Sequence, residues 1–212
     1  MPGGWGSLDD DETDHALAAA NGHRQARVVL RLVRQITATD ERLVVTPPLI
    51  CGLHRIAMDG LVPSAGTFRP DGWIVPLGGL HDPPPYDEVP THIDDLCSYL
   101  AMRWDADGPL PLAAYTLWRL NWIHPFTDGN GRTSRALAYL VLSAKFGFVL
   151  PGRHPIPDRI KYDSKRYYDA LSAADEACRR GTVDVGAMQS MLHRHLLDQL
   201  TDKPLRKSPD KA

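Results

Sequence analysis

The sequence predicts an all-α domain with one small β-hairpin. Three observations carry that expectation. Apolar residues recur at helical spacing along most of the chain, as in Val28, Val29, Leu32, Val33 and Ile36. Prolines and glycines punctuate these patterns, with Pro47-Pro48, Pro90 and Pro111 at helix starts and Gly60 and Gly147 at ends. Only the stretch from Leu61 to Pro85 changes texture. It is rich in Gly and Pro, with short β-prone pieces such as Thr67-Phe68 and Trp73-Ile74-Val75.

Taken in order, residues 1 to 12 are small and acidic, ending in Asp9-Asp10-Asp11-Glu12, and are expected to be disordered. A helix is expected from about Asp14 to Thr37. A second runs from Pro47 to Met58, and the hairpin follows. Pro90-Thr91 opens a helix through Ile93, Leu96, Tyr99 and Leu100. Another runs from about Pro111 to Trp122, and Pro125 prevents its continuation past His124. After a glycine-rich loop, Ala136-Leu137-Ala138-Tyr139-Leu140-Val141-Leu142 reads as a helix stopped by Gly147. Pro151, Pro155 and Pro157 mark a loop, and helices follow at about Ser164 to Arg180 and Val183 to Leu200. One domain over residues 13–200 is therefore expected, with a mobile, charged tail over 201–212. No internal repeat is visible. Trp104, Trp118 and Trp122 are expected in the core.

Composition narrows the function class. The 212 residues are 43% hydrophobic, enough for one core. The net charge of −2 gives no general nucleic-acid footprint. Cys51, Cys97 and Cys178 are odd in number, widely spaced and without a C-x-x-C pair, which favours reduced, buried thiols over disulfides or zinc. No signal-like segment and no membrane-length apolar run is present, so a cytoplasmic chain with no membrane partner is expected.

The segment Ile123-His124-Pro125-Phe126-Thr127-Asp128-Gly129-Asn130-Gly131-Arg132-Thr133-Ser134-Arg135 concentrates the chemistry. It opens a helix, whose first N–H groups are unpaired and carry partial positive charge, a setting for phosphate. Gly129 and Gly131 allow a sharp turn and close approach to a ligand. Arg132 and Arg135 lie three apart on one face of the first turn, where cations oppose the helix dipole. A polyanion in front of them removes that conflict. Asp128 would repel the same polyanion unless a metal bridged them, and Mg²⁺ is commonly held by one or two carboxylates plus phosphate oxygens. His124 is then free for acid–base work. Asn130 also suits a plain helix cap. His193 and His195, two apart on a helix, read as surface or packing residues.

The loop resembles the Fic family, matching every fixed position of H-x-F-x-[DE]-G-N-G-R-x-x-R through His124, Phe126, Asp128, Gly129, Asn130, Gly131, Arg132 and Arg135. Ala65-Gly66-Thr67-Phe68-Arg69 and Leu80-His81-Asp82-Pro83-Pro84 resemble the two sides of that family's flap. The resemblance spans roughly residues 45 to 180. It implies a Fic-type helical domain with a hairpin over the site, and transfer of AMP from ATP to a Ser, Thr or Tyr hydroxyl of a target protein. On that reading His124 is the general base and Asp128 holds Mg²⁺ or Mn²⁺. Asn130, with the N–H groups around Gly129 and Gly131, stabilises the α-phosphate. Arg132 and Arg135 take the β- and γ-phosphates, Phe126 anchors the loop, and Tyr167 or Tyr168 lies beside the adenine. The flap, about Thr67 to Leu80, aligns the target segment by strand addition.

Gly131 stands where the family's phosphate-transferring Doc branch carries Lys, which favours nucleotidyl transfer. Ser134 stands where Gly is common, with little effect expected. The family's self-inhibitory motif, [ST]-x-x-x-E-[GN], has no full match. Thr37 and Glu41 are followed by Arg42, Ser172 and Glu176 by Ala177, and Ala16 and Ala20 precede Asn21 without hydroxyl or acid. Inhibition by a separate antitoxin-like protein, or none, is therefore expected, as in a toxin-like unit. The alternatives are a non-catalytic nucleotide-binding or interaction module, removal of AMP, or transfer of another nucleotide. Oligomeric state, including a homodimer, is left open.

Overall fold

The computed structural model describes residues 12–39, 41–73, 81 and 83–205. Among the described residues eight α-helices run in the order α1 (Glu12–Thr39), α2 (Pro47–Met58), α3 (Val89–Arg103), α4 (Pro109–Ile123), α5 (Asn130–Phe146), α6 (Ile156–Tyr162), α7 (Ser164–Arg179) and α8 (Gly186–Leu200). There is no strand among the described residues, and no helix there is long and apolar enough to cross a membrane.

The centre of the molecule is α4. Nearly every residue from Leu112 to Ile123 is buried, the mark of a helix enclosed on all sides. It packs on α3, α5, α7 and α8. The connection from α4 to α5 covers only residues 124–129, so the two helices lie side by side as an antiparallel pair. That short connection is the signature loop. α1 covers α5 and α2, and α2 also lies on α5. The loop thus emerges between the core pair and the α1–α2 layer. Trp118 and Trp104 are in the core, and Trp122 packs against it partly buried.

Helix boundaries follow the punctuation seen in the sequence. Thr46 caps α2, its hydroxyl accepting from the Leu49 N–H at 3.4 Å, with prolines in the first turn. Gly147 ends α5 in the left-handed conformation, φ 76°. α1 starts at Glu12 and ends at Thr39, slightly beyond the expected limits at both ends. The loop expected around Pro155 and Pro157 instead contains α6. Proline is tolerated in a first helical turn, where its missing N–H would be unpaired anyway, so Pro157 opens the helix. The cysteines are free and half-buried, and burial raises the Cys97 thiol to about 11.

The second half of the expected flap, Ile74 to Leu80, lies outside the described residues, as does Asp82. The described part, residues 61–73, forms turns. At the far end of the chain Lys203 is tied to the body. Its N–H donates to Asp198 at 2.9 Å and its carbonyl accepts from Arg159 at 2.7 Å.

A buried amide locks the C-terminal half. The Gln199 side chain donates to the Leu150 and Pro151 carbonyls and to the Tyr139 hydroxyl, and its carbonyl accepts from the Ile156 N–H at 2.9 Å. Gln199→Leu leaves that N–H and those acceptors buried and unpaired. The expected cost is about 2–3 kcal/mol, seen as a fall in Tm of roughly 5–10 °C in a thermal melt; an unchanged Tm would show that the lock is dispensable.

Candidate active site

The loop is held from below by His54 of α2. Its ring is fully buried and stacks on Phe126, with centroids 3.7 Å apart and planes 4° from parallel. Nδ1 accepts from the Gly66 N–H at 2.8 Å, and Nε2 lies 2.9 Å from the Asp128 carbonyl. An amide N–H only donates and a carbonyl only accepts, so His54 carries its proton on Nε2 and is neutral. Burial lowers its pKa in agreement. One side chain therefore joins α2, the turn at Gly66 and the signature loop. The close packing needs glycine at both ends. A Cβ on Gly129, whose φ is 73°, would come within 2.5 Å of the Met58 sulfur. One on Gly66, at φ 88°, would come within 2.7 Å of Arg55 Nε.

Arg69 holds the other end of the loop. Its N–H donates to the Pro125 carbonyl and its Nε to the His124 carbonyl, each at 2.8 Å, and Nη2 donates to the Pro84 carbonyl. It is buried, and these carbonyls supply the polar partners that a buried guanidinium needs. Ser64 and Thr127 add a hydroxyl pair at 2.9 Å between the turn and the loop.

His124 caps α4 in the left-handed conformation, φ 49° and ψ 57°, uncommon for a residue other than glycine. It is buried, and its pKa falls to about 3. Burial is the main cause, the charges of His81 and Arg69 add to it, and a hydrogen bond with the Asn121 backbone opposes it. Its ring is neutral at ordinary pH and able to take a proton. Asp128, four residues on, is exposed, with Oδ1 accepting from the Gly129 N–H at 2.6 Å. One loop thus holds a buried neutral imidazole and an exposed carboxylate.

Asn130 is 3% exposed. Its amide accepts from the Phe126 N–H at 3.0 Å and donates to the Phe126 carbonyl at 2.8 Å. It braces the loop across its base, and Gly129 fills the N-cap position. Thr133 donates to the Gly129 carbonyl at 3.0 Å. Ser134, where little effect was expected, is buried and connects the loop to α4: it donates to the Gly131 carbonyl at 3.1 Å and accepts from Asn121 at 2.7 Å.

Arg132 and Arg135 are half-buried, and neither has a carboxylate partner among the described residues. Arg132 Nη1 lies 3.0 Å from the Met58 sulfur. A Cβ on Gly131 would come within 3.0 Å of Arg135 Nη1, so a side chain there would displace that guanidinium. The Arg135 charge opposes the raised pKa that burial gives both Tyr167 and Tyr168. The two tyrosines differ in access. Tyr167 is 3% exposed beside Ser134 and Asn121, whereas Tyr168 is partly exposed.

His81, at the far base of the flap, lies 2.7 Å from the Trp122 carbonyl through Nε2 and 3.5 Å from Asp175 through Nδ1. Asp175 in turn accepts from Trp118 Nε1 at 2.8 Å. The structure thus brings the loop residues together and adds His54, Arg69 and His81 as supports. His195 Nε2 lies 4.0 Å from an Asp163 carboxylate oxygen in a separate buried cluster.

The family profile described as Fic/DOC matches residues 44–142, which span α2 to most of α5. Residues 44–142 form a Fic/DOC-family domain. It is 41% identical over 74 residues to a Fido domain-containing protein of Dictyostelium discoideum, covering 35% of this chain and 47% of that one. It is 26% identical over 179 residues to the protein adenylyltransferase Fic of Nematostella vectensis, covering 76% of this chain and 39% of that one. The chain thus spans less than half the length of these relatives. A Fic domain-containing signaling protein of Bacteroides thetaiotaomicron has the same fold, with a TM-score of 0.69, 22% identity, and coverage of 92% of this chain and 73% of that one.

Burial of the histidines makes stability pH-dependent. His54, His124 and His195 all have folded-state pKa values below the ordinary one, chiefly through burial. In the unfolded chain they protonate near about 6.5. Their contribution is therefore complete above that pH and is lost as pH falls below it toward the folded values, about 3 for His124. The Tm should fall steadily from neutral pH to about pH 4, less steeply in His124→Asn. A flat profile would contradict the buried neutral assignment.

Proposed function

We propose that this chain transfers AMP from ATP to a Ser, Thr or Tyr hydroxyl of a target protein, releasing pyrophosphate. The observation that carries this reading is the loop's charge layout. A buried, neutral His124 lies in one turn with an exposed Asp128, and two arginines without carboxylate partners among the described residues stand at the positive end of α5. A triphosphate supplies the negative charge that this layout lacks.

His124 takes the proton of the target hydroxyl. The hydroxyl oxygen attacks the α-phosphorus, the bond from that phosphorus to the oxygen bridging the β-phosphate breaks, and pyrophosphate leaves. The N–H groups at the start of α5, around Gly129 and Gly131, face the developing charge. Asn130 holds them in place through Phe126. Arg132 and Arg135 take the β- and γ-phosphates. Asp128 would hold Mg²⁺ or Mn²⁺, which neutralises phosphate charge when bound. Exposure favours Tyr168 over Tyr167 as the adenine-side aromatic. The target segment pairs with the flap, about Thr67 to Leu80.

The control of this activity is proposed to come from a separate inhibitory protein or to be absent. From His15 to Thr39 α1 has no carboxylate, and Glu176 is engaged with Arg179 and Arg180. The wild-type chain should then be active without an activating mutation. Strong activation by Glu41→Gly or Glu176→Gly of a silent wild type would reveal a built-in brake instead.

The direct test is incubation with labelled ATP and Mg²⁺, alone and with lysate. Labelled protein favours the enzyme over a non-catalytic nucleotide-binding module. His124→Asn, whose side chain tolerates the left-handed backbone, should bind nucleotide normally and lose transfer by ~100- to 10,000-fold. Asp128→Ala should lose metal-dependent turnover. Near-normal transfer by the His124 variant would overturn the base assignment.

A further inference from the structure

A second cationic surface lies away from the loop arginines. Arg24, Arg27, Arg31 and Arg34 follow one another at three-, four- and three-residue steps, which places them in one stripe along α1. Like charges at these spacings repel, and a solvated helix face ordinarily interleaves signs. Here α1 has no Asp or Glu from residue 15 to residue 39, in a chain whose overall charge is −2. The clustering is local.

The first three of these arginines line a groove of about 530 Å³ between α1 and α2. Arg55 closes its far side, Val28 and Ile56 form half-buried apolar parts of its lining, and Asp59 stands at one end. Asp59 pairs with Arg24 at 3.0 Å. Arg27, Arg31 and Arg55 are exposed and have no ion pair among the described residues. Arg55 also packs against the turn at Gly66, where the flap region begins.

We infer that this groove docks an acidic stretch of a partner protein, with carboxylates on Arg27, Arg31 and Arg55 and one apolar side chain against Val28 and Ile56. Charge complementarity selects the occupant. Three guanidiniums match carboxylates as planar forks, and the apolar lining gives a polypeptide a contact that a phosphate backbone does not use. The first residue of α1 is not the occupant: Glu12 and Arg27 are fifteen residues apart on one continuous helix, roughly 22 Å at 1.5 Å per residue. Docking here is independent of nucleotide transfer, so ATP binding by the same preparations reports separately on the loop.

The test is fluorescence anisotropy with a labelled twelve-residue peptide of Glu and Asp around one central Leu. A Lys-substituted version and single-stranded DNA of the same length are the controls. The acidic peptide should bind wild type in preference to both. Binding should weaken as NaCl rises from about 50 to about 300 mM. The double variant Arg27→Glu, Arg31→Glu should bind about tenfold or more weakly, with an unchanged melting curve and unchanged ATP affinity. Arg27→Ala, Arg31→Ala should lie between the two and serves as the second variant should charge reversal disturb the helix. Equal binding by wild type and variants, no binding of the acidic peptide, or tighter binding of the DNA would overturn the assignment.

Discussion

The site depends on the neutral His54 ring and its two opposed hydrogen bonds. Gly66 donates to one nitrogen and the Asp128 carbonyl accepts from the other, while the face of the ring lies on Phe126. A protonated ring has no acceptor left for Gly66. A phenyl ring keeps the stacking and loses both bonds. Few side chains meet all three demands, and burial removes the protonated state that would break them. The position of Asp128 is thus set by α2, an element some seventy residues earlier in the chain.

From that anchor the loop's two ionisable groups acquire different characters. His124 lies inward at the end of α4, where Arg69 fixes its carbonyl and desolvation keeps its ring neutral. Asp128 lies outward, with one oxygen on the Gly129 N–H. The contrast between a buried neutral ring and an exposed carboxylate within one short loop follows from these placements. The left-handed backbone at His124 ends α4 abruptly, so that Pro125 and Phe126 can enter the core. Any strain there is countered by the contacts of Phe126, Asn130 and Arg69.

Much of this was legible in the sequence because it is local. The helical stripes, the prolines at helix starts, the glycine ends and the loop's charged residues are all patterns of near neighbours. Pro157 misled because proline both interrupts helices and opens them, and α6 is too short for its periodicity to decide. The roles of His54, Arg69 and Ser134 were hidden because each depends on contacts distant in sequence. His54 stands in an apolar helical pattern beside Leu53 and Ala57, where a histidine is most simply read as part of the core. Asn130 was legible as a residue of the site but not in its geometry. Its amide is turned inward on Phe126, which orders the neighbouring N–H groups without itself reaching out from the loop. The two tyrosines, identical in sequence terms, are separated only by burial.

The two groups of arginines obey one electrostatic rule in different settings. Arg132 and Arg135 stand in the first two turns of α5, near the helix's own positive end. That potential is concentrated in a small volume and suits a compact, highly charged ligand approached by backbone N–H groups. The α1 stripe lies along the body of a long helix, where successive N–H groups are already bonded and the dipole contributes little. Its potential comes from side chains alone, spread over several turns and open to solvent. Salt screens such a surface strongly, so it serves an extended, multiply charged partner better than a small ion. Both arrangements would be repulsive without a counter-charge. Met58 of α2 touches Arg132, and Arg55 and Ile56 of α2 line the groove, so the helix that carries the His54 clamp also supports both the signature loop and the basic groove.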